Sequence, residues 1–288
     1  MNERYELLAP IAEGGLGAVF RARDTQLGRD VAVKRILTGK TGGCGTDVDA
    51  LIREARQLSI VQHPNIVAVY DLGEDAEGGF IVMELVPGET LEDVIMRGAL
   101  TADDFDALVR QTLDGMRAVH AQGIIHLDLK PGNLMIHRLP EGSIQVKILD
   151  FGLSKCTSSG QNQEAAPASG LLGSVYFMAP EQFERAAVDV RTDIYALGCI
   201  YYYALTQQYP FGGETKPQVM VAHLHHRIRP LAELRPDLPA RTVEWVEWLI
   251  NRAPAGRPVS ISEALRIYDE NALAGAKASL PPHPVIEA

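Results

Sequence analysis

The order of strand-like and helix-like runs predicts an α+β chain. Short strand-like runs, Tyr5–Ile11, Val31–Lys34 and Phe80–Val86, fall early. Longer apolar repeats at helical spacing, the clearest over Thr101–Gln122, dominate the remainder of the chain. Strands first and helices after is the α+β order. The 288 residues, 46% hydrophobic and 22% charged, lie in the globular range and suffice for one large domain or two lobes.

A net charge of −10 argues against nucleic acid as a partner. Cys44, Cys156 and Cys199 are far apart and form no motif, as expected in a reducing cytoplasm. The chain opens without a basic-then-apolar leader. Its most apolar run, Ile194–Leu205, is too short to span a bilayer.

In chain order, the opening strand runs into a glycine hairpin, Ala12-Glu13-Gly14-Gly15-Leu16-Gly17-Ala18-Val19-Phe20. Glycines let backbone N–H groups close over phosphate oxygens. Val31–Lys34 is a β-branched strand with one lysine, and Gly39-Lys40-Thr41 lacks the earlier glycine of a Walker A loop. Leu51, Ala55, Leu58 and Val61 share one face of a helix predicted over 47–61 that also carries Glu54. Pro64, in His63-Pro64-Asn65-Ile66-Val67, stops it before the next strand. Phe80–Gly88 is a buried-type strand ending in a Pro-Gly turn. Thr101 caps a helix that Gly123 ends.

The stretch Ile125–Asn133, followed after the alternating strand Ile144–Leu149 by Asp150-Phe151-Gly152, places two carboxylates, an amide and an ammonium on short loops. That set suits moving a phosphoryl group from a metal-nucleotide to a hydroxyl. Asp128 would accept the hydroxyl proton and Lys130 would balance charge. Asn133 and Asp150 offer the oxygen ligands Mg²⁺ prefers. Ser154–Gly170 has the composition of a mobile segment. Asp193 opens a helix that is apolar nearly all round. His223, His225 and His226 lack companion ligands at metal spacing and are expected on a solvated helix face. Trp245 and Trp248 are expected in the core.

The hairpin, Val31-Ala32-Val33-Lys34, His126-Leu127-Asp128-Leu129-Lys130-Pro131-Gly132-Asn133, Asp150-Phe151-Gly152 and Gly173–Glu181 come in the order found in protein kinases. Over residues 5 to 270 the chain resembles bacterial serine/threonine protein kinases of the eukaryotic-like class. The resemblance implies a bilobal protein-kinase-like fold: a small antiparallel-sheet N-lobe with one main helix, over 1–86, and a larger, mostly helical C-lobe over 87–270. An Ala/Pro-rich tail is expected over 271–288. The resemblance also implies ATP with Mg²⁺ or Mn²⁺, and protein substrates with Ser or Thr acceptors. It assigns the nucleotide site to Ala12, Gly14, Gly17, Val19, Ala32, Lys34, Met83, Glu84, Val86, Met135 and Asp150. Glu54 would pair with Lys34, Met83 would be the gatekeeper, and the backbones of Glu84 and Val86 would hold adenine. Asp193 would fix the catalytic-loop backbone, and Arg257 would pair with Glu181.

The departures from the family pattern carry expectations of their own. Ala12 stands at the first glycine of the hairpin. Leu127 replaces the arginine that in many kinases receives an activation-segment phosphate, so phosphorylation there is not expected to be required. Ser174 replaces a threonine and keeps the hydroxyl that can bond Asp128 and Lys130. Thr90 and Gly132 occupy places where kinases that select basic substrates put carboxylates, so no arginine preference is expected. Ala12 and Leu127 also fit a nucleotide-binding pseudokinase or scaffold. The presence of Lys34, Glu54, Asp128, Asn133 and Asp150 together favours the enzyme.

Overall fold

Five strands build the first sheet, in the order β1-β2-β3-β5-β4 with every neighbouring pair antiparallel. They are β1 (Tyr5–Gly14), β2 (Gly17–Asp24), β3 (Arg29–Ile36), β4 (Val69–Asp75) and β5 (Gly78–Glu84). The structure, a computed structural model, describes residues 4–14, 17–36, 59–75, 78–98, 100–150 and 174–278. The helix predicted over 47–61 and the segment Ser154–Gly170 lie outside these residues, apart from the last residues of the former.

Register divides the sheet by face, because partners across an antiparallel pair project to the same side. Val33 pairs with Val82 and Val31 with Ala22. These side chains, with Tyr5 and Phe80, form a small buried cluster on one face. Ala32 and Lys34, one residue out of phase, occupy the other.

The second sheet is short and antiparallel, in the order β6 (Glu89–Thr90), β7 (Leu134–Arg138), β8 (Ile144–Ile148). Gly88 leads into it with φ 102°, and a Cβ there would sit 2.1 Å from the Ile136 carbonyl oxygen. Only glycine fits. The segment after Pro64 does not begin a strand at once. Ile66 makes a single parallel bridge to Ile148, and β4 starts at Val69. Asn65 is the cause: its amide donates to the Val146 carbonyl (2.8 Å) and to Gln111 (2.9 Å), holding this turn against β8.

Eight α-helices are described: α1 (Leu91–Arg97), α2 (Ala102–Ala121), α3 (Pro180–Phe183), α4 (Val190–Thr206), α5 (Lys216–Leu224), α6 (Leu231–Leu234), α7 (Ala240–Leu249) and α8 (Ile261–Ala278). Thr90 and Asp93 cap α1 reciprocally, and Thr101 caps α2. Every residue of α4 from Thr192 to Leu205 is buried. Its tyrosines keep their hydroxyls satisfied inside the core. Tyr201 bonds Thr112 (2.7 Å), Tyr202 donates to the Arg229 carbonyl (2.7 Å), and Tyr195 bonds His223 Nδ1 (2.7 Å). Trp245 is buried and donates to the Ala264 carbonyl, and Trp248 packs partly buried against the same core. Helix α8 carries the chain past residue 270 to Ala278.

The three histidines depart from the expectation of a solvated face. Only His225 is exposed. Helix α5 ends at Leu224, and its buried residues Val219, Ala222 and His223 recur at the i, i+3, i+4 spacing of an inward stripe. That stripe places the His223 ring 4.2 Å from the Phe211 ring.

Candidate active site

The loop over residues 125–133 is shaped from beneath by a buried carboxylate. Asp193, on the first turn of α4, is 1% exposed and accepts from the backbone N–H groups of His126 (2.8 Å) and Leu127 (2.9 Å) and from His120 Nε2 (2.8 Å). Leu127 has φ 61°, a conformation that strains a non-glycine residue. Two bonds flanking it hold it there: Asp193 on its N–H, and Gln182 Nε2 on its carbonyl (3.1 Å). His126 uses both ring nitrogens. Nδ1 accepts from the Asp128 N–H (3.3 Å), and Nε2 bonds the Leu149 carbonyl (3.0 Å). Full burial lowers its pKa, so the ring is a neutral strut between the loop and the segment before Asp150.

Asp128 stands at the centre of three polar side chains. Ser174 Oγ donates to its Oδ1 (2.9 Å), and Lys130 Nζ donates to its Oδ2 (2.9 Å) and at 3.4 Å to Ser174. Asn133 Nδ2 donates to the Asp128 carbonyl (2.8 Å). The amide is thereby oriented, with its oxygen turned away from that bond. Leu149 N–H donates to the Asn133 carbonyl (2.8 Å), which tethers Asp150 beside Asn133. Across the cleft, Lys34 Nζ lies 2.7 Å from Asp150 Oδ1. Hence Asp128, Lys130, Asn133, Ser174, Asp150 and Lys34 form one connected set. Glu54 lies outside the described residues, as do Phe151 and Gly152.

The first sheet closes this set from above. Ala12 pairs with Val19, Val19 with Lys34, and Ala32 with Met83, so these five side chains share one face. Gly14 pairs with Gly17 at the hairpin end. The arrangement suits an apolar roof for a flat ring, with a cation at its inner end for phosphate.

Residues 5–267 match the protein kinase domain family. The chain belongs to the protein kinase family. It is 32% identical over 282 residues to the serine/threonine-protein kinase pkn2 of Myxococcus xanthus, covering 97% of this chain and 33% of that protein. It is 35% identical over 266 residues to the serine/threonine-protein kinase PknA of Mycobacterium tuberculosis, covering 89% of this chain and 58% of that one. The chain thus spans between a third and three-fifths of these two relatives. Among solved structures it resembles Rad53 residues 1–466 in complex with AMP-PNP, with a TM-score of 0.74, 27% identity, and coverage of 92% of this chain and 65% of that one.

Glu84 is the last residue of β5. The Glu84 N–H is engaged by the Ala68 carbonyl (2.8 Å), and its carboxylate takes Lys147 Nζ (2.6 Å) from β8. The end of β5 is therefore tied to the strand that leads to Asp150. Met135, on β7, pairs with Thr90 and with Lys147. Glu181 and Arg257 form the buried fork expected of them, at 2.7 and 2.9 Å. Burial alone would raise the Glu181 carboxyl, but the Arg257 guanidinium outweighs it and holds the pKa below the ordinary value. Sequence reasoning missed two supports of the loop, His120 and Gln182. Each meets its partner far along the chain, so no local signal marks either. Among the described residues no group of three or more metal-type side chains occurs, and no helix is long and apolar enough to cross a membrane.

Proposed function

We propose that this chain is a serine/threonine protein kinase domain that transfers the ATP γ-phosphoryl group to protein hydroxyls. The observation that carries the reading is the convergence of Lys130 and Ser174 on the Asp128 carboxylate, beside Asn133 and the Asp150–Lys34 pair. Asp128 accepts the proton of a Ser or Thr hydroxyl as its oxygen attacks phosphorus, and ADP departs. Ser174 and Lys130 fix which way the carboxylate points, which is worth more than its basicity alone. Lys130 also offers positive charge to the moving phosphoryl oxygens, and Lys34 engages the α- and β-phosphates. Val19, Ala32, Met83 and Met135 contact the adenine, with hydrogen bonds from the backbones of Glu84 and Val86, while Ala12, Gly14 and Gly17 leave room over the phosphates.

The donor set fits a hard divalent ion. Asn133 is oriented through its nitrogen, which leaves an oxygen for a ligand, and Asp150 adds a carboxylate. Asn133 and Asp150 would hold Mg²⁺, or Mn²⁺ in its place, and the ion would supply positive charge to offset that of the phosphates.

Activity is not dependent on activation-segment phosphorylation in this reading. Leu127 cannot pair with a phosphate, and Asp193 and Gln182 already fix its backbone from within. Residues 1–86 serve as the nucleotide lobe, 87–270 as the catalytic lobe and 271–288 as a tail, in a cytoplasmic setting. The test is ATP turnover with a generic protein acceptor, beside Asp128→Asn. Transfer that falls by about 10²–10⁴-fold in the variant supports the kinase. Tight nucleotide binding without transfer in either protein points to a pseudokinase or scaffold. A phosphatase-treated enzyme with a greatly reduced initial rate would contradict the account of Leu127.

A further inference from the structure

We propose that Gln182 is a positioning residue whose side-chain amide orients Asp128 by holding the peptide that joins Leu127 to Asp128. The inference rests on the kinase reading, in which Asp128 is the base, and adds to it a residue outside the reacting centre. Gln182 lies on α3, next to Glu181. The buried Arg257 fork secures that neighbour at 2.7 and 2.9 Å, so the Gln182 side chain starts from an anchored turn.

Both ends of the amide are used. Its Oε1 accepts from the Ala179 N–H (3.0 Å), and its Nε2 donates to the Leu127 carbonyl (3.1 Å). The first bond decides the orientation, because an N–H can meet only an acceptor: the oxygen faces Ala179 and the nitrogen faces the loop. A carboxylate at this position would keep the first bond and lose the second.

The peptide held in this way has its other polar atom engaged as well. Its N–H, from Asp128, donates to His126 Nδ1 (3.3 Å). Carbonyl and N–H together fix the peptide plane, and with it the direction in which the Asp128 side chain leaves the backbone. Leu127 needs such support, since its φ of 61° is kept by its surroundings and not by its own preference. Asp193 holds the Leu127 N–H (2.9 Å), and Gln182 supplies the counterpart on the carbonyl side. The space enclosed between Leu127, Asp128, Gln182 and Asp193 is too narrow for a water molecule to take over from the amide.

The segment that carries Gln182 also carries Ser174, whose Oγ donates to Asp128 Oδ1 (2.9 Å). Asp128 is thereby gripped twice from one stretch of chain, at its carboxylate by Ser174 and through its backbone by Gln182. An arginine at position 127 could link the loop to that stretch through a phosphate. Leu127 offers no such side chain, and the bond from Gln182 to its carbonyl makes a neutral link that needs no modification.

The experiment compares Gln182→Glu and Gln182→Met with the unmodified chain, reading Tm, kcat, and KM for ATP and for a protein acceptor. Glutamate keeps the acceptor for Ala179 and removes the donor to Leu127; methionine removes both at similar length. In both variants kcat should fall by about tenfold or more, with each KM within about twofold of its original value. The Tm of Gln182→Glu should stay within about 2 °C. Leu127→Gly supplies a second arm, because glycine holds a φ of 61° without strain. In that background Gln182→Glu should cost no more than about threefold in kcat. An unchanged kcat in Gln182→Glu would overturn the proposal and leave Gln182 as a helix cap. A loss of equal size in both backgrounds, or one carried by KM alone, would also overturn it. No transfer by the unmodified chain would instead overturn the kinase reading on which the proposal depends.

Discussion

Two ion pairs of the same 2.7 Å length, Glu181–Arg257 and Lys34–Asp150, do opposite work. Arg257 and Glu181 have side-chain exposures of 0% and 5%, against 17% and 36% for Lys34 and Asp150. Every N–H of the Arg257 guanidinium is used, on Glu181 and on the carbonyls of Arg191, Asn251 and Arg252. Thr192 adds a hydroxyl to Glu181 (2.9 Å). A pair so enclosed has no other partner to turn to, and losing one member strands a buried charge. Lys34 meets Asp150 by one hydrogen bond in a more exposed setting, where, in the proposed function, phosphate oxygens and a metal ion would take each partner separately. Length does not distinguish a permanent bolt from a working contact. Enclosure and the count of satisfied donors do.

The largest effect separating the two pairs should be on stability. Arg257→Met is expected to cost about 3–5 kcal/mol and to lower Tm by on the order of 10 °C, measured by calorimetry. Lys34→Met should shift Tm by no more than about 2 °C, because a partly exposed pair contributes little. Equal losses of Tm in the two variants would erase the distinction. Next comes activity: Lys34→Met should reduce kcat/KM by roughly 10²-fold or more, and retained turnover would remove Lys34 from the site.

The pH dependence of stability sharpens the same contrast, since it reports on enclosed groups. Burial, with the neighbouring His226 adding to it, holds the His223 pKa down to about 3 from 6.5. Below pH 6.5 the unfolded chain binds a proton that the folded one refuses, so stability is full above 6.5 and declines down to about 3. Glu181, lowered in the folded state, acts in the same direction. Its contribution is present above the ordinary glutamate range and is lost as pH falls through its lowered value. A Tm-against-pH profile should slope downward with acid between 6.5 and 3, and His223→Gln should flatten it. An unchanged slope in that variant would show that other groups carry the titration. The smallest effect belongs to the hydroxyl on Asp128. Ser174→Ala should cost about 1 kcal/mol in kcat, with Ser174→Thr restoring it.

Asp128, Lys130, Asn133 and Asp150 were legible in the sequence because their chemistry demands particular residue types at fixed spacing on adjoining loops. A period of two puts Ala32 and Lys34 on one side of their strand, but Ala12, Val19 and Met83 join that face only through the pairing of four strands. Apolar periodicity likewise marked α2 and the buried α4. His223 escapes that kind of reading because its helix is short, and the packing of Tyr195 and Phe211 decides which side is inward. The sequence by itself determined the order of motifs, the residue types able to move a phosphoryl group, and the strand and helix periods, all of which are local properties. The tertiary structure alone decided that His120 meets Asp193, that Gln182 holds the Leu127 carbonyl, and that Glu92 comes to rest over Gly132. Those outcomes depend on burial and on partners brought together from remote segments. No local pattern encodes them, because the free energy that selects them comes from packing the whole domain.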